Sequence, residues 1–326
     1  LVTVEGAGSY RVDVVSLATG EHRPLLEKAG GARLVAGRYL LYVPAGRPEV
    51  VAVRFDARSR TVSGDPVTVL DSIATAPGWP LGFFAIAPSG TLAYVPLARW
   101  IGPDEWPDLA LVGRDGVPEP RRLPKGHGPR FSPDGRRIVH MGPGRHGPDV
   151  FAYALNSAAD VRLTSHTGAE GYEGWPVFSH DGGSVVYNCC SDRRGYLVLS
   201  STLADGSGHP VRLPTDSTMH QQPFTWTAGG AELLYTQGPD SMAGGMDIWT
   251  VPVNGSGRPR PLMQTAANET QPALSPDGRW LAWMTDASGR PEVMVRRYPD
   301  GPSVPVSRDG GVEPAWDRSG PERYFR

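Results

Sequence analysis

Residues 131–142 read FSPDGRRIVHMG, and residues 274–285 read LSPDGRWLAWMT. The frame is an apolar pair, a turn ending in glycine, then an alternating apolar stretch. Its glycine recurs at Gly37, Gly90, Gly135, Gly182, Gly229, Gly278 and Gly320, with gaps of 53, 45, 47, 47, 49 and 42 residues. Pro129, Pro176, Pro223, Pro272 and Pro314 each stand six residues before their glycine. A repeat of this length that holds only strands and turns predicts one small antiparallel sheet per repeat.

Turn chemistry explains the frame. Proline presets φ at the first corner, aspartate favours the second, and glycine takes the left-handed position that returns the chain to the sheet. Ser-Pro-Asp-Gly therefore predicts a hairpin between first and second strands, with a structural rather than catalytic aspartate. After each turn comes a second strand such as RWLAWM. A loop and a third strand such as DVFAYAL follow, then a polar fourth strand such as VRLT at 161–164. The expected fold is all-β, a seven-bladed β-propeller of four-stranded antiparallel blades, with six blades as the alternative. One domain spans 1–326, with blades near 31–72, 80–124, 126–165, 172–215, 219–265 and 268–309, and a last one from 311–326 plus 1–29. That last blade closes the ring with strands from both chain ends. Both LVTVE (1–5) and ERYFR (322–326) fit its second strand.

Composition agrees. Gly (41) and Pro (33) are too frequent for long helices. A net charge of −2 gives no general attraction to nucleic acid. No apolar run approaches 18 residues, so no membrane insertion by this chain is expected. The two cysteines, Cys189 and Cys190, are neighbours, which ordinary disulfide geometry does not join without strain.

The Ser-Pro-Asp-Gly-Arg frame, with proline three residues ahead of the serine, resembles the WD-like repeats of TolB-like propellers. Its best stretch, 269–320, is similar to the propeller part attached to bacterial membrane-bound serine/threonine kinases. The resemblance implies an extracytoplasmic setting, periplasmic or at the cell surface, with a cytoplasmic one as the alternative. Any kinase or membrane anchor would lie outside this chain. The chain itself carries no kinase glycine-rich loop or His-Arg-Asp motif, and no Gly-x-Ser-x-Gly elbow. A closed ring is compatible with a monomer.

In such a fold the loops entering the first strands share one face with the second-to-third-strand loops. Counting back from the prolines puts Glu173, His220 and Glu269 at equivalent positions, and Gln222, Gln271 and Glu313 next to proline. These side chains should ring one channel mouth. They can hold a divalent cation, calcium or a transition metal, with Glu173, His220 and Glu269 as ligands, or bind a cationic or saccharide-like molecule. Polar groups there also simply hold water and cap strand ends. Trp79, Trp100 and Trp106, in long loops of the same face, suit a protein or carbohydrate contact, or pack as loop anchors.

Three functions stay open. One is a non-enzymatic binding or sensor module for a protein or small ligand. The second is a metal-dependent propeller enzyme, a lyase or hydrolase on a saccharide-like substrate. The third is a plain scaffold. No residue stands out as catalytic.

Overall fold

A computed structural model describes residues 2–6, 9–15, 21–35, 37–75, 84–87, 91–96, 106–112, 119, 121–145, 147–165, 172–191, 195–239, 245–253, 257–307, 310–312, 314 and 316. The described residues form seven antiparallel sheets, each from consecutive strands. The first holds β1 (Val2–Gly6), β2 (Ser9–Val15) and β3 (His22–Glu27). The second holds β4 (Ala29–Val35), β5 (Tyr39–Pro44), β6 (Val50–Asp56) and β7 (Thr61–Leu70). The third holds β8 (Phe84–Ile86), β9 (Leu92–Tyr94) and β10 (Ala110–Val112). The fourth holds β11 (His127–Phe131), β12 (Arg137–Pro143), β13 (Pro148–Ala154) and β14 (Asp160–Arg162). The fifth holds β15 (Glu173–Phe178), β16 (Ser184–Ser191), β17 (Tyr196–Leu203) and β18 (Val211–Arg212). The sixth holds β19 (His220–Trp226), β20 (Glu232–Gly238), β21 (Asp247–Pro252) and β22 (Arg260–Met263). The last holds β23 (Glu269–Leu274), β24 (Trp280–Thr285), β25 (Glu292–Arg297) and β26 (Val304–Pro305). Five of these sheets are the four-stranded blade expected from the repeat, and the first and third hold three strands each among the described residues.

The repeated turns behave as their chemistry requires. Gly135, Gly182 and Gly278 adopt φ of 69°, 71° and 68°. At the first of these turns, Asp134 accepts from the Ser132 hydroxyl at 2.5 Å and the Arg136 amide at 3.1 Å. Ser132 in turn accepts from the Arg137 amide at 2.9 Å. The same bonds recur around Ser275 and Asp277. Donation from Ser132 and Ser179 holds the Asp134 and Asp181 carboxyls below the usual range. These aspartates are committed to the hairpins.

The chain divides into two compact units, 1–82 with 266–326, and 83–265. In the first unit, Val12 and Val14 of β2 pack into a core with Leu40, Tyr42, Val51 and Phe55 of the following sheet. Val15, one step on and so on the opposite face, packs with Ala282, Val293 and Val295 of the last sheet. The N-terminal sheet is therefore held between its sequence neighbour and the C-terminal sheet. Val2–Gly6 supplies the strand beside β2, with Val2 opposite Asp13 and Gly6 opposite Ser9. Residues 322–326, the other candidate for that place, lie outside the described residues.

The second unit uses the same alternation. Val185 and Tyr187 of β16 pack with Val139, Val150 and Ala152 of the preceding sheet. Val186, between them, packs with Leu233, Tyr235 and Val251 of the next. A central strand covered on both faces needs apolar residues at successive positions, and this explains sequences such as SVVY and ELLY.

Most first strands carry a bulge at a fixed place. Pairing skips from Gly30 to Arg33, His127 to Arg130, Gly174 to Val177 and Thr270 to Ala273. One residue in each bulge has positive φ: Gly31 (59°), Gly128 (58°), Trp175 (51°) and Gln271 (54°). In β19 the irregularity slides to between Pro223 and Thr225, so Gln222 stays paired with Thr236.

Candidate functional site

The first-strand openings lie at the same end of each sheet as the starts of the third strands. The register shows this directly: Glu173 pairs with Cys189, and Cys189 with Val198. Glu173, His220 and Glu269 are the opening residues of β15, β19 and β23. Each is held by a different set of neighbours.

Glu173 is 5% exposed, and its Oε2 accepts no direct hydrogen bond. Its polar surroundings are Asp149, Thr164 and Arg162 of the preceding sheet. Asp149, at the start of β13, is 2% exposed and pairs with the half-exposed Arg162 guanidinium. Thr164 donates to Asp149 Oδ1 at 3.4 Å and accepts from the Val150 amide at 2.9 Å. Burial, reinforced by the Asp149 carboxylate, pushes Glu173 up to about 7 against the opposing pull of Thr164 and Arg162. The result is one carboxyl group, Glu173, that takes up a proton near neutrality beside the Asp149 side chain of the adjacent sheet. The same burial, with Glu173 nearby, pushes the Tyr187 phenol up.

His220 is half-buried. Its Nδ1 accepts from the Leu197 amide at 3.4 Å, and its ring meets Tyr196 edge-on at 5.2 Å. The next residue, Gln221, is the local hub. It is 1% exposed, accepts from the Leu199 amide at 3.1 Å and the Thr215 hydroxyl at 2.7 Å, and donates to Gln237 at 3.0 Å. Gln222, read from the sequence as one of six mouth residues, is half-buried. Glu269 is 2% exposed and accepts from the Thr285 hydroxyl at 3.4 Å. Among the described residues, no group of three or more His, Cys, Asp or Glu side chains is placed to hold a metal ion.

Trp106 is half-buried, its ring 5.1 Å from that of His127. Burial holds His127 below the usual histidine value. Trp79, Trp100 and Glu313 lie outside the described residues. The Cys189 sulfur stands 3.2 Å from the Ser200 hydroxyl.

Asp149, Trp175 and Gln221 escaped the sequence reading. Asp149 had a signal, an acid at the opening of a third strand. Trp175 had another, an aromatic in the slot before proline. Gln221 had none, because its side-chain partners come from three different segments.

No family model matches the sequence, and no curated protein matches it significantly. Solved structures do resemble it. TolB from Acinetobacter baumannii matches with TM-score 0.57 and 23% identity over 86% of this chain and 65% of that one. Prolyl oligopeptidase B from Galerina marginata matches with TM-score 0.66 and 12% identity over 91% of this chain and 46% of that one. Oligogalacturonate lyase from Vibrio parahaemolyticus matches with TM-score 0.64 and 12% identity over 88% of this chain and 83% of that one. The chain thus spans just under two thirds of the TolB chain and less than half of the peptidase. At these identities the likeness is one of fold, and the fold is a TolB-like β-propeller. No helix among the described residues is long and apolar enough to cross a membrane.

Proposed function

We propose that this chain is a non-enzymatic binding module that recognises a ligand or protein through the first-strand openings of the sheets in residues 83–265. One observation carries the reading. At the hairpin end the same Ser-x-Asp-Gly bonds recur from sheet to sheet, because the turn demands them. At the other end, one backbone position carries Glu173, His220 or Glu269, each with its own partners. Repetition marks what folding requires, and variation on a fixed frame marks what recognition uses.

The test is a thermal-shift screen with saccharides, peptides, nucleotides and divalent cations, repeated on a His220→Ala/Gln222→Ala variant and on Arg279→Ala at the hairpin end. Ligands whose shift vanishes only in the double variant support the reading. Ligands indifferent to both variants, or dependent on Arg279, overturn it.

The Asp149–Glu173 pair favours a second reading. A buried carboxyl raised to about 7 beside a second acidic side chain suits general acid–base chemistry, as in a propeller enzyme acting on a saccharide-like substrate. Elemental analysis with a melting curve after chelator separates the metal-dependent form of that enzyme from the module. About one bound equivalent whose removal lowers the melting temperature favours the enzyme.

A further inference from the structure

Trp175 is the exposed residue of β15. It is 45% exposed, with buried neighbours on both sides. Its backbone has φ of 51°, a conformation that costs a bulky residue about 1–2 kcal/mol relative to glycine. Gly31 and Gly128 fill the same slot without that penalty. The fold therefore does not need an indole there. Among the described residues its indole makes no side-chain hydrogen bond and no ring–ring contact, and nearly half of the residue is open to solvent.

Its surroundings suggest what the ring is for. β15 packs beside β11 on one side and β19 on the other. The openings of these strands, with the third-strand starts next to them, carry the half-buried rings of Trp106, His127, Tyr172, Tyr196 and His220. Gly128 has no atom within 4 Å of where a Cβ would stand, so there is open space at its bulge. The buried charge at the β11 and β15 openings is muted. Arg162 covers Asp149, Glu173 is pushed towards its neutral form, and His127 is held towards its own. These buried groups offer a strongly charged ligand little to pair with. A neutral ring with apolar C–H faces and hydroxyl edges gains from aromatic faces beside imidazole and amide groups.

We infer that the first-strand openings of residues 83–265 form a binding surface for an uncharged saccharide, with Trp175 as its exposed stacking platform. This rests on the binding-module reading and names its ligand class.

Isothermal titration with cellohexaose, maltohexaose and chitohexaose tests it, with hexagalacturonate as the charged counterpart. At least one uncharged hexasaccharide binds. Trp175→Gly, which suits the backbone, weakens that binding by about tenfold or more while the melting temperature holds. Trp175→Phe, which keeps a ring, recovers part of the affinity and serves as the control if the glycine variant misfolds. Binding by no uncharged sugar, stronger binding of hexagalacturonate, or affinity unchanged in Trp175→Gly overturns the inference. A non-saccharide ligand that depends on His220 and Gln222 would remove only the saccharide assignment and leave the module reading standing.

Discussion

β11 and β15 open in the same way and fill the opening differently. Both bulge just before a proline, with φ of 58° at Gly128 and 51° at Trp175. β11 uses the residue that takes this conformation freely, and β15 uses one that resists it. Their titratable groups contrast too. His127 at β11 is a base held down by burial, and Glu173 at β15 is an acid pushed up by it. A shared backbone thus carries two chemistries, both shifted towards neutrality. The frame sets position, and burial sets charge.

The sharpest way to break this comparison lies two residues before the β11 bulge. A Cβ on Gly126 would stand 2.4 Å from His140 Nδ1 and 2.5 Å from the Met141 carbonyl oxygen. Backbone cannot yield there, so Gly126→Ala should destabilise by about 3 kcal/mol. Denaturant unfolding would show it, and a loss below about 1 kcal/mol would mean the strand end can shift.

The next effect depends on pH. Folded Glu173 titrates near 7 against an ordinary 4.5, so the folded state holds a proton that the unfolded state releases. Stability should therefore fall as pH rises from about 4.5 to 7, by about 2–3 kcal/mol. Glu173→Gln should flatten that slope. His127, with its value lowered, acts in the opposite sense, and its contribution is lost as pH falls below the ordinary histidine range. His127→Gln should flatten only the acid side. Melting curves across pH check both.

The smallest effects test the bulge itself. Gly128→Ala meets open space and should cost only the conformational strain, about 1 kcal/mol. Trp175→Gly should stay within about 1 kcal/mol of the parent, because relieved strain offsets the added freedom of the unfolded chain. A loss of about 3 kcal/mol or more would show that the indole supports packing after all.

Much of this fold was legible in the residues. The Ser-Pro-Asp-Gly hairpins are local, each closed by bonds within five or six residues, so the sequence carries the whole device. The strands follow from alternation, because a central strand between two neighbouring sheets needs apolar residues on both faces. The positions of Glu173, His220 and Glu269 at strand openings were also legible, since a proline at fixed spacing counts them off.

The pairings at those openings were not legible. Asp149 meets Glu173 across 24 residues and two different sheets. Gln221 gathers partners from β17, from β20 and from the segment before its own strand. The slide of the bulge in β19, which leaves Gln222 in the ladder, depends on a pairing no local pattern states. By itself the sequence determined the repeat, the turns and the strands, because those rest on dihedral preference and periodicity over a few residues. Only the tertiary structure decided which acid lost its water, which histidine burial holds towards its neutral form and which tryptophan stayed exposed. Burial and long-range juxtaposition belong to the packed sheets and to no single stretch of chain.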